Sequence, residues 1–229
     1  MTRKTFDGTM GQLKDEVLLL GSMVEQATQQ AVHSLVKRDV ASARLVIAND
    51  QRVNDRRYAI ENAVLIQIAT QQPAARDLRV LTAILEIINE LERMGDYAKG
   101  IGKVVIALGD SELTFPSAEF LQMGKLASGM LHNALSAFVT ENAGLAQRIP
   151  PEDEKVDTLY LSIYRELTAA MIANPKTIDQ TNTLMWAAHN LERLADRVVN
   201  ICERTIFICT GELFELDGGE VERNANIPV

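Results

Sequence analysis

The chain has 229 residues, of which 47% are apolar and 5% aromatic, and its formal net charge is −8. An aliphatic, aromatic-poor composition favours packed helices over a β-sandwich. The acidic balance, with no dense Lys/Arg cluster, excludes a typical nucleic-acid binder, and no run of 18 apolar residues is present to span a membrane.

The chain reads as helix from end to end, with few breakers. A first helix runs from Leu13 to about Lys37, and a polar joint at Arg38-Asp39 leads to a second from Ala41 to about Ala69. Gln72-Pro73 punctuates, and a third helix covers about Ala74 to Ala107. Pro73 suits its first turn, where a missing N–H costs nothing, and Asp77 complements the helix dipole. Gly109-Asp110-Ser111 followed by Pro116-Ser117 is the clearest break. A fourth helix then spans Ser117 to about Thr140, and a fifth is opened by Pro150-Pro151 and ends near Ala173. Asn174-Pro175 repeats the earlier punctuation, and a sixth helix runs from Ile178 to Thr210, closed by Gly211. The spacing predicts a helical bundle over 1–110, a second over 111–212, and a frayed tail over 213–229.

The two halves repeat. Leu91-Glu92-Arg93-Met94-Gly95-Asp96 returns one hundred positions later as Leu191-Glu192-Arg193-Leu194-Ala195-Asp196. The third helix carries an apolar stripe of Ile84, Ile88, Leu91, Gly95, Ala98, Gly102 and Val105. The sixth carries Leu184, Ala188, Leu191, Ala195, Val198, Cys202 and Thr205 at the same shift. Alternating steps of four and three are those of a bundle-facing seam. Small Gly95 and Ala195 allow a neighbouring helix to come close. Upstream, Asp50-Gln51-Arg52-Val53-Asn54 aligns with Asp153-Glu154-Lys155-Val156-Asp157. The expected fold is all-α: two pseudo-symmetric three-helix bundles in an elongated rod, with next to no β-strand.

Both copies of the motif hold a carboxylate pair at i and i+4, which a helix places on one face about 5–6 Å apart at Cβ. Like charges there repel unless something positive lies between them. In the sixth helix His189, Glu192, Asp196, Asn200 and Glu203 share a face about 80° wide, at about 100° per residue. The third helix has Asn89, Glu92, Asp96, Gly100 and Lys103 there. If the second helix of each bundle lies alongside, Asp50 and Asn54 meet Glu92 and Asp96, and Asp153 and Asp157 meet Glu192 and Asp196. An all-oxygen set suits hard cations such as Mg²⁺, Mn²⁺ or Ca²⁺, and iron; carboxylate-held zinc, with or without His189, stays open. The competing reading is a solvated face paired with Arg93, Lys99 or arginines of other helices. Arg93 and Arg193 are each expected to clamp a carboxylate bidentately, and His33 and His132 to be ordinary.

Cys202 and Cys209 stand about 10 Å apart along one helix, beyond disulfide reach, and read as reduced core residues. The opening Met-Thr-Arg-Lys is followed by no apolar stretch, so no secretory signal is expected and the cytoplasm is the default location. There is no Glu-x-x-His di-iron motif, no nucleophilic triad and no Gly-rich phosphate loop.

The paired Leu-Glu-Arg hexapeptides resemble the signatures of the PhoU family of phosphate-uptake regulators. So do Gln72-Pro73-Ala74-Ala75-Arg76-Asp77-Leu78-Arg79, Asn200-Ile201-Cys202-Glu203 and Thr210-Gly211-Glu212. The resemblance covers about Phe6 to Glu212. It implies the double bundle and metal ions (Fe, Mn, Mg or Zn) on carboxylates matched here by Glu92, Asp96, Glu192 and Asp196. It further implies a non-enzymatic, usually dimeric regulator that restrains the phosphate-starvation response and links a phosphate ABC transporter ATPase to a sensor histidine kinase. Membrane contact would then come only through partners. Accessory service to a low-affinity phosphate permease, or di-metal hydrolysis on a helical bundle, are the alternative functions.

Overall fold

A computed structural model describes residues 3–109, 113–213 and 215–216. Six long helices carry it: α1 (Arg3–Lys37), α2 (Val40–Gln71), α3 (Ala75–Leu108), α4 (Ser117–Val139), α6 (Asp153–Ala173) and α7 (Ile178–Thr210). A single turn, α5 (Ala143–Ala146), interrupts the α4–α6 connection and was not apparent from the spacing. Strands are absent among the described residues, as expected. Helices α1, α2 and α3 pack on one another, as do α4, α6 and α7; α3 then lies along α7 and α1 along α4. At 1.5 Å per residue, the 35-residue α1 is about 52 Å long, which makes the molecule elongated.

The helices begin and end for local reasons. Asp39 caps α2, its carboxylate accepting from the Ser42 amide at 3.0 Å. Its pKa is lowered, chiefly by the Ser42 side-chain and backbone hydrogen bonds. Gln72 ends α2 in a left-handed conformation, φ 46°, and Gly211 ends α7 at φ 80°, donating to the Phe207 carbonyl at 2.8 Å. Helix α1 starts ten residues before the expected Leu13, because Phe6 and Met10 continue the same stripe into the core. Pro73 precedes the α3 cap, Ala74, rather than occupying the first turn, whereas Pro150 and Pro175 do open 3₁₀ turns. All seven stripe residues of α3 and all seven of α7 are buried. Where α2 crosses α3, a side chain at Gly95 would meet Val53 at 3.2 Å, and one at Gly102 would meet the Ala43 carbonyl at 3.2 Å. Cys202 is buried as expected; Cys209 is exposed, because it lies about two turns nearer the α7 terminus, next to the last helical residue, Thr210. No helix among the described residues is long and apolar enough to cross a membrane. Asp110, Ser111 and most of the expected tail, including Gly218-Gly219 and Pro228, lie outside the described residues.

Candidate metal centre

The two repeats place their acids alike but treat them differently. In the first bundle α2 delivers Asp50, only 7% exposed, and half-buried Asn54; α3 delivers half-buried Glu92 and exposed Asp96. Glu92 is raised in pKa by burial first and by Asp96 next, with Asp50 adding and Arg57 opposing. The three acids therefore share one field, as the pattern required. A cation of the chain itself already stands among them. Lys99 donates to Asp50 Oδ2 at 2.7 Å and to Asp96 Oδ1 at 3.4 Å, and its own pKa is raised chiefly by the Asp50 hydrogen bond. Asn54 Nδ2 donates to the same Asp50 oxygen at 3.4 Å. The cavity against Asp50, about 190 Å³, is lined by Gln26, Gln30 and Asn49 rather than by further carboxylates.

The second bundle has no such lysine. Asp153 opens α6, and Asp157 follows one turn on; α7 contributes Glu192 and Asp196. A groove of about 410 Å³ is lined by Asp153, Glu154, Asp157, Asp196, Asn200 and Glu203, with Arg197 also on its wall. Glu192 stands outside the groove wall, yet its charge reaches Asp153 and it is itself raised by burial and by Asp196. Burial, then Asp157, Asp196 and Glu192 in that order, push the Asp153 carboxyl from 3.8 to about 7. Asp157 is raised by burial and by Asp196. Asp153 Oδ1 and Glu192 Oε2 are shielded from solvent without a hydrogen-bond partner. Among the described residues no three His, Cys, Asp or Glu side chains close into a ligand shell; the acids face one another across an open groove.

The arginines do not clamp as expected. Arg93 reaches Glu90 through Nη1 at 3.0 Å, and Arg193 divides itself between Asp196 at 3.2 Å and Glu192 at 3.6 Å on its own helix. Each guanidinium is about half exposed, so it bends to the nearest carboxylate on its own helix rather than spanning to another. His189 Nδ1 lies 3.5 Å from Glu192 Oε2, its ring beside Tyr160 and Trp186. His132 pairs with Glu25 at 3.6 Å, and His33 meets the Gln29 carbonyl.

Glu90 is the residue that reading the sequence missed. It is 7% exposed and sits between the bundles, where Arg197 reaches it at 3.5 Å and Asn200 Nδ2 donates to it at 3.2 Å. Asn200 therefore serves two surfaces, the groove wall and the bundle interface. Gly100, across the same seam, leaves room for Asn190, whose amide nitrogen lies 2.6 Å from where a Cβ would stand. A cross-seam comparison was the available signal: Glu90 and Asn190 exchange under the shift of one hundred, as do Gly100 and Asn200.

A family model for the PhoU domain matches the chain twice, at residues 17–105 and 120–205. The chain belongs to the PhoU family. It is 34% identical over 218 residues to a phosphate-specific transport system accessory protein PhoU homolog of Clostridium acetobutylicum, covering 95% of this chain and 100% of that one. It is likewise 34% identical to the Escherichia coli K12 accessory protein PhoU, covering 94% and 89%. The crystal structure of a phosphate transport system regulatory protein PhoU from Streptococcus pneumoniae superposes with a TM-score of 0.86 at 34% identity, covering 92% and 100%. That of PhoU from Pseudomonas aeruginosa gives 0.84 at 31%, covering 90% and 99%. Both hexapeptides, and every acid described above, fall within the two matched PhoU segments.

Proposed function

We propose that this PhoU-family chain is a non-catalytic, metal-binding regulator of phosphate uptake. In this reading it works in the cytoplasm as a homodimer, linking a phosphate ABC transporter ATPase to a sensor histidine kinase and restraining the phosphate-starvation response. The role in transport is supported by relatives named as accessory and regulatory proteins of phosphate transport. The metal is supported by one observation above others: Asp153 borders an acidic groove with no lysine on its wall, lies in the field of three further carboxylates, and has its Oδ1 shielded yet without a hydrogen-bond partner. That donor set fits a hard cation, since oxygen ligands are what Mg²⁺, Mn²⁺ and iron prefer, and zinc also accepts them.

Asp153, Asp157, Glu192 and Asp196 would hold the ion, with Asn200 on the groove wall. Asp50, Asn54, Glu92 and Asp96 are the counterpart in the first repeat, where Lys99 already stands between Asp50 and Asp96. A multivalent cation held by these acids would reverse the local sign and would supply Lewis-acid affinity for a phosphate or carboxylate. The residues themselves supply the frame: the α6 start and the middle of α7 fix the acids, Ala195 is fully buried between Glu192 and Asp196 in sequence, and the Glu90–Asn200 contact ties α7 to α3.

The test is complementation. In cells lacking their own PhoU, this chain is expected to restore repression of a phosphate-starvation reporter at high phosphate. Asp153→Asn with Asp196→Asn, at equal protein level, is expected to fail. Full repression by the doubly substituted chain would overturn the metal-dependent role. Co-purification with the transporter ATPase rather than with a permease tests the partner.

A further inference from the structure

The shift of one hundred that maps α3 onto α7 maps Lys99 onto Val199 and Lys103 onto Glu203. The upstream alignment maps Asn54 onto Asp157. At these three positions the second repeat is the more acidic, whereas Glu90 to Asn190 and Tyr97 to Arg197, at the seam between the bundles, run the other way. The first repeat has an amide and two lysines where the second has two acids and a valine.

Lys99 is the decisive one. Its ammonium donates to Asp50 Oδ2 at 2.7 Å and stands 3.4 Å from Asp96 Oδ1, bridging the acid of α2 to the acid of α3. Asp50 is almost wholly buried and receives Asn54 as well, so its outer oxygen is fully engaged. An ammonium is a compact point charge with three donors. Here it occupies the gap in which a divalent ion shared by Asp50 and Asp96 would have to sit, and its charge repels such an ion. Val199 lines the groove of the second repeat and brings neither charge nor donor. Two arginines stand nearby: Arg193 lies along α7 against Asp196 and Glu192 at 3.2 and 3.6 Å, and Arg197, on the groove wall, turns to Glu90 between the bundles at 3.5 Å; among the described residues the ion pairs of both go elsewhere than to Asp153 and Asp157.

We propose that Lys99 is a built-in counter-ion that closes the first acid site to metal, so that the two repeats are unequal and only the second takes a divalent cation. This rests on the metal-binding reading above. It makes the first bundle a metal-independent module whose bridging cation is a lysine of the chain, and the second the one whose charge changes with cation supply. Lys99→Val, which gives the first repeat the residue of the second, opens the first site.

The test uses the full chain, stripped with chelator and titrated with Mn²⁺ while free Mn²⁺ is followed by electron paramagnetic resonance. The native chain is expected to show one class of site, abolished by Asp153→Asn with Asp196→Asn. Adding Lys99→Val to that double variant is expected to restore binding, at least tenfold tighter than the double variant alone. Lys99→Met, which keeps the length of the stem, gives the same gain if loss of the valine variant's fold intervenes. Mn²⁺ bound by the double variant with Lys99 in place would overturn the inference, because the first site would then be open. So would an absence of gain in both folded Lys99 variants. A native chain that binds no Mn²⁺, together with a Lys99→Val chain that does, would refute the metal reading of the second repeat while upholding the role of Lys99.

Discussion

Replacing Asp153 by Asn should stabilise the metal-stripped protein above neutral pH and weaken its response to metal. A carboxyl raised from 3.8 to about 7 on folding binds its proton more tightly in the folded state. Its contribution is therefore least unfavourable below pH 3.8, and the folded state loses stability progressively as pH rises from about 4 to about 7. Taken at face value, the penalty above pH 7 reaches about 4 kcal/mol at 1.36 per tenfold. Asp153 is only half-buried and faces a wet groove, so screening reduces this to about 1–2 kcal/mol. It also begins α6, where the helix dipole favours its anion by about 0.3–1 kcal/mol. The net gain for Asp153→Asn at pH 8 is then about 1 kcal/mol, or about 2–4 °C in melting temperature for a chain of this size. The assay is thermal melting of native and variant chains in chelator at pH 4, 6 and 8. The difference should vanish at pH 4, where both side chains are neutral, and grow towards pH 8. On adding Mn²⁺ in excess the native chain should gain stability, since a ligand of the folded state must stabilise it, and the variant should gain less. A variant less stable than the native chain at pH 8 in chelator would refute the electrostatic crowding on which the site is argued.

Glu90→Ala removes the partner of Arg197 and Asn200 between the bundles. It should cost about 1–3 kcal/mol in urea unfolding, because polar groups at a buried seam lose their acceptor. Leu91→Ala and Leu191→Ala, both at fully buried positions, should each cost about 2–5 kcal/mol by the same measurement. A much smaller loss for one would mean that the repeats do not share their packing. Cys209 is exposed, whereas Cys202 is buried with its thiol pushed up to about 12, first by burial and then by Glu203. Mass spectrometry after brief treatment with iodoacetamide should therefore find the label on Cys209, and label on Cys202 only after unfolding.

Much of this architecture is legible in the sequence itself. The α3 and α7 stripes were readable because a buried helix face must be apolar at every third or fourth residue, and all fourteen stripe positions are buried. Gly95 was readable as a point of close approach because only a small residue admits Val53 at that distance. The second acid set was readable because its members are acidic in both helices. What escaped was whatever depends on a partner distant in sequence. Periodicity marks the core face of α3 but does not distinguish solvent from a second bundle on its flank, so nothing in the pattern singled out Glu90. The pairing of Lys99 with Asp50 spans 49 residues and two helices, and no local pattern encodes it. It becomes visible only once α2 is seen to lie against the acidic face of α3.

The same duplication that makes the two halves alike also forces them apart in chemistry. Because α3 and α7 meet each other, Glu90 faces Asn200 while Gly100 faces Asn190, so equivalent residues of the two repeats fill complementary halves of one seam. A carboxylate at position 90 needs a donor opposite, and Asn200 supplies it; an amide at 190 needs space opposite, and Gly100 supplies that. Asn200 is thereby fixed on the rim of the second groove, whereas the first repeat has only a glycine at the matching place. The packing of the bundles and the charge of the acid sites are thus set by neighbouring positions on the same two helices. The first repeat, lacking a side-chain oxygen at 100, has Lys99 one residue before it, bridging Asp50 and Asp96; the second, with Asn200 and Glu203 on its wall, has Val199 at that place and leaves its acids facing a groove instead of an ammonium.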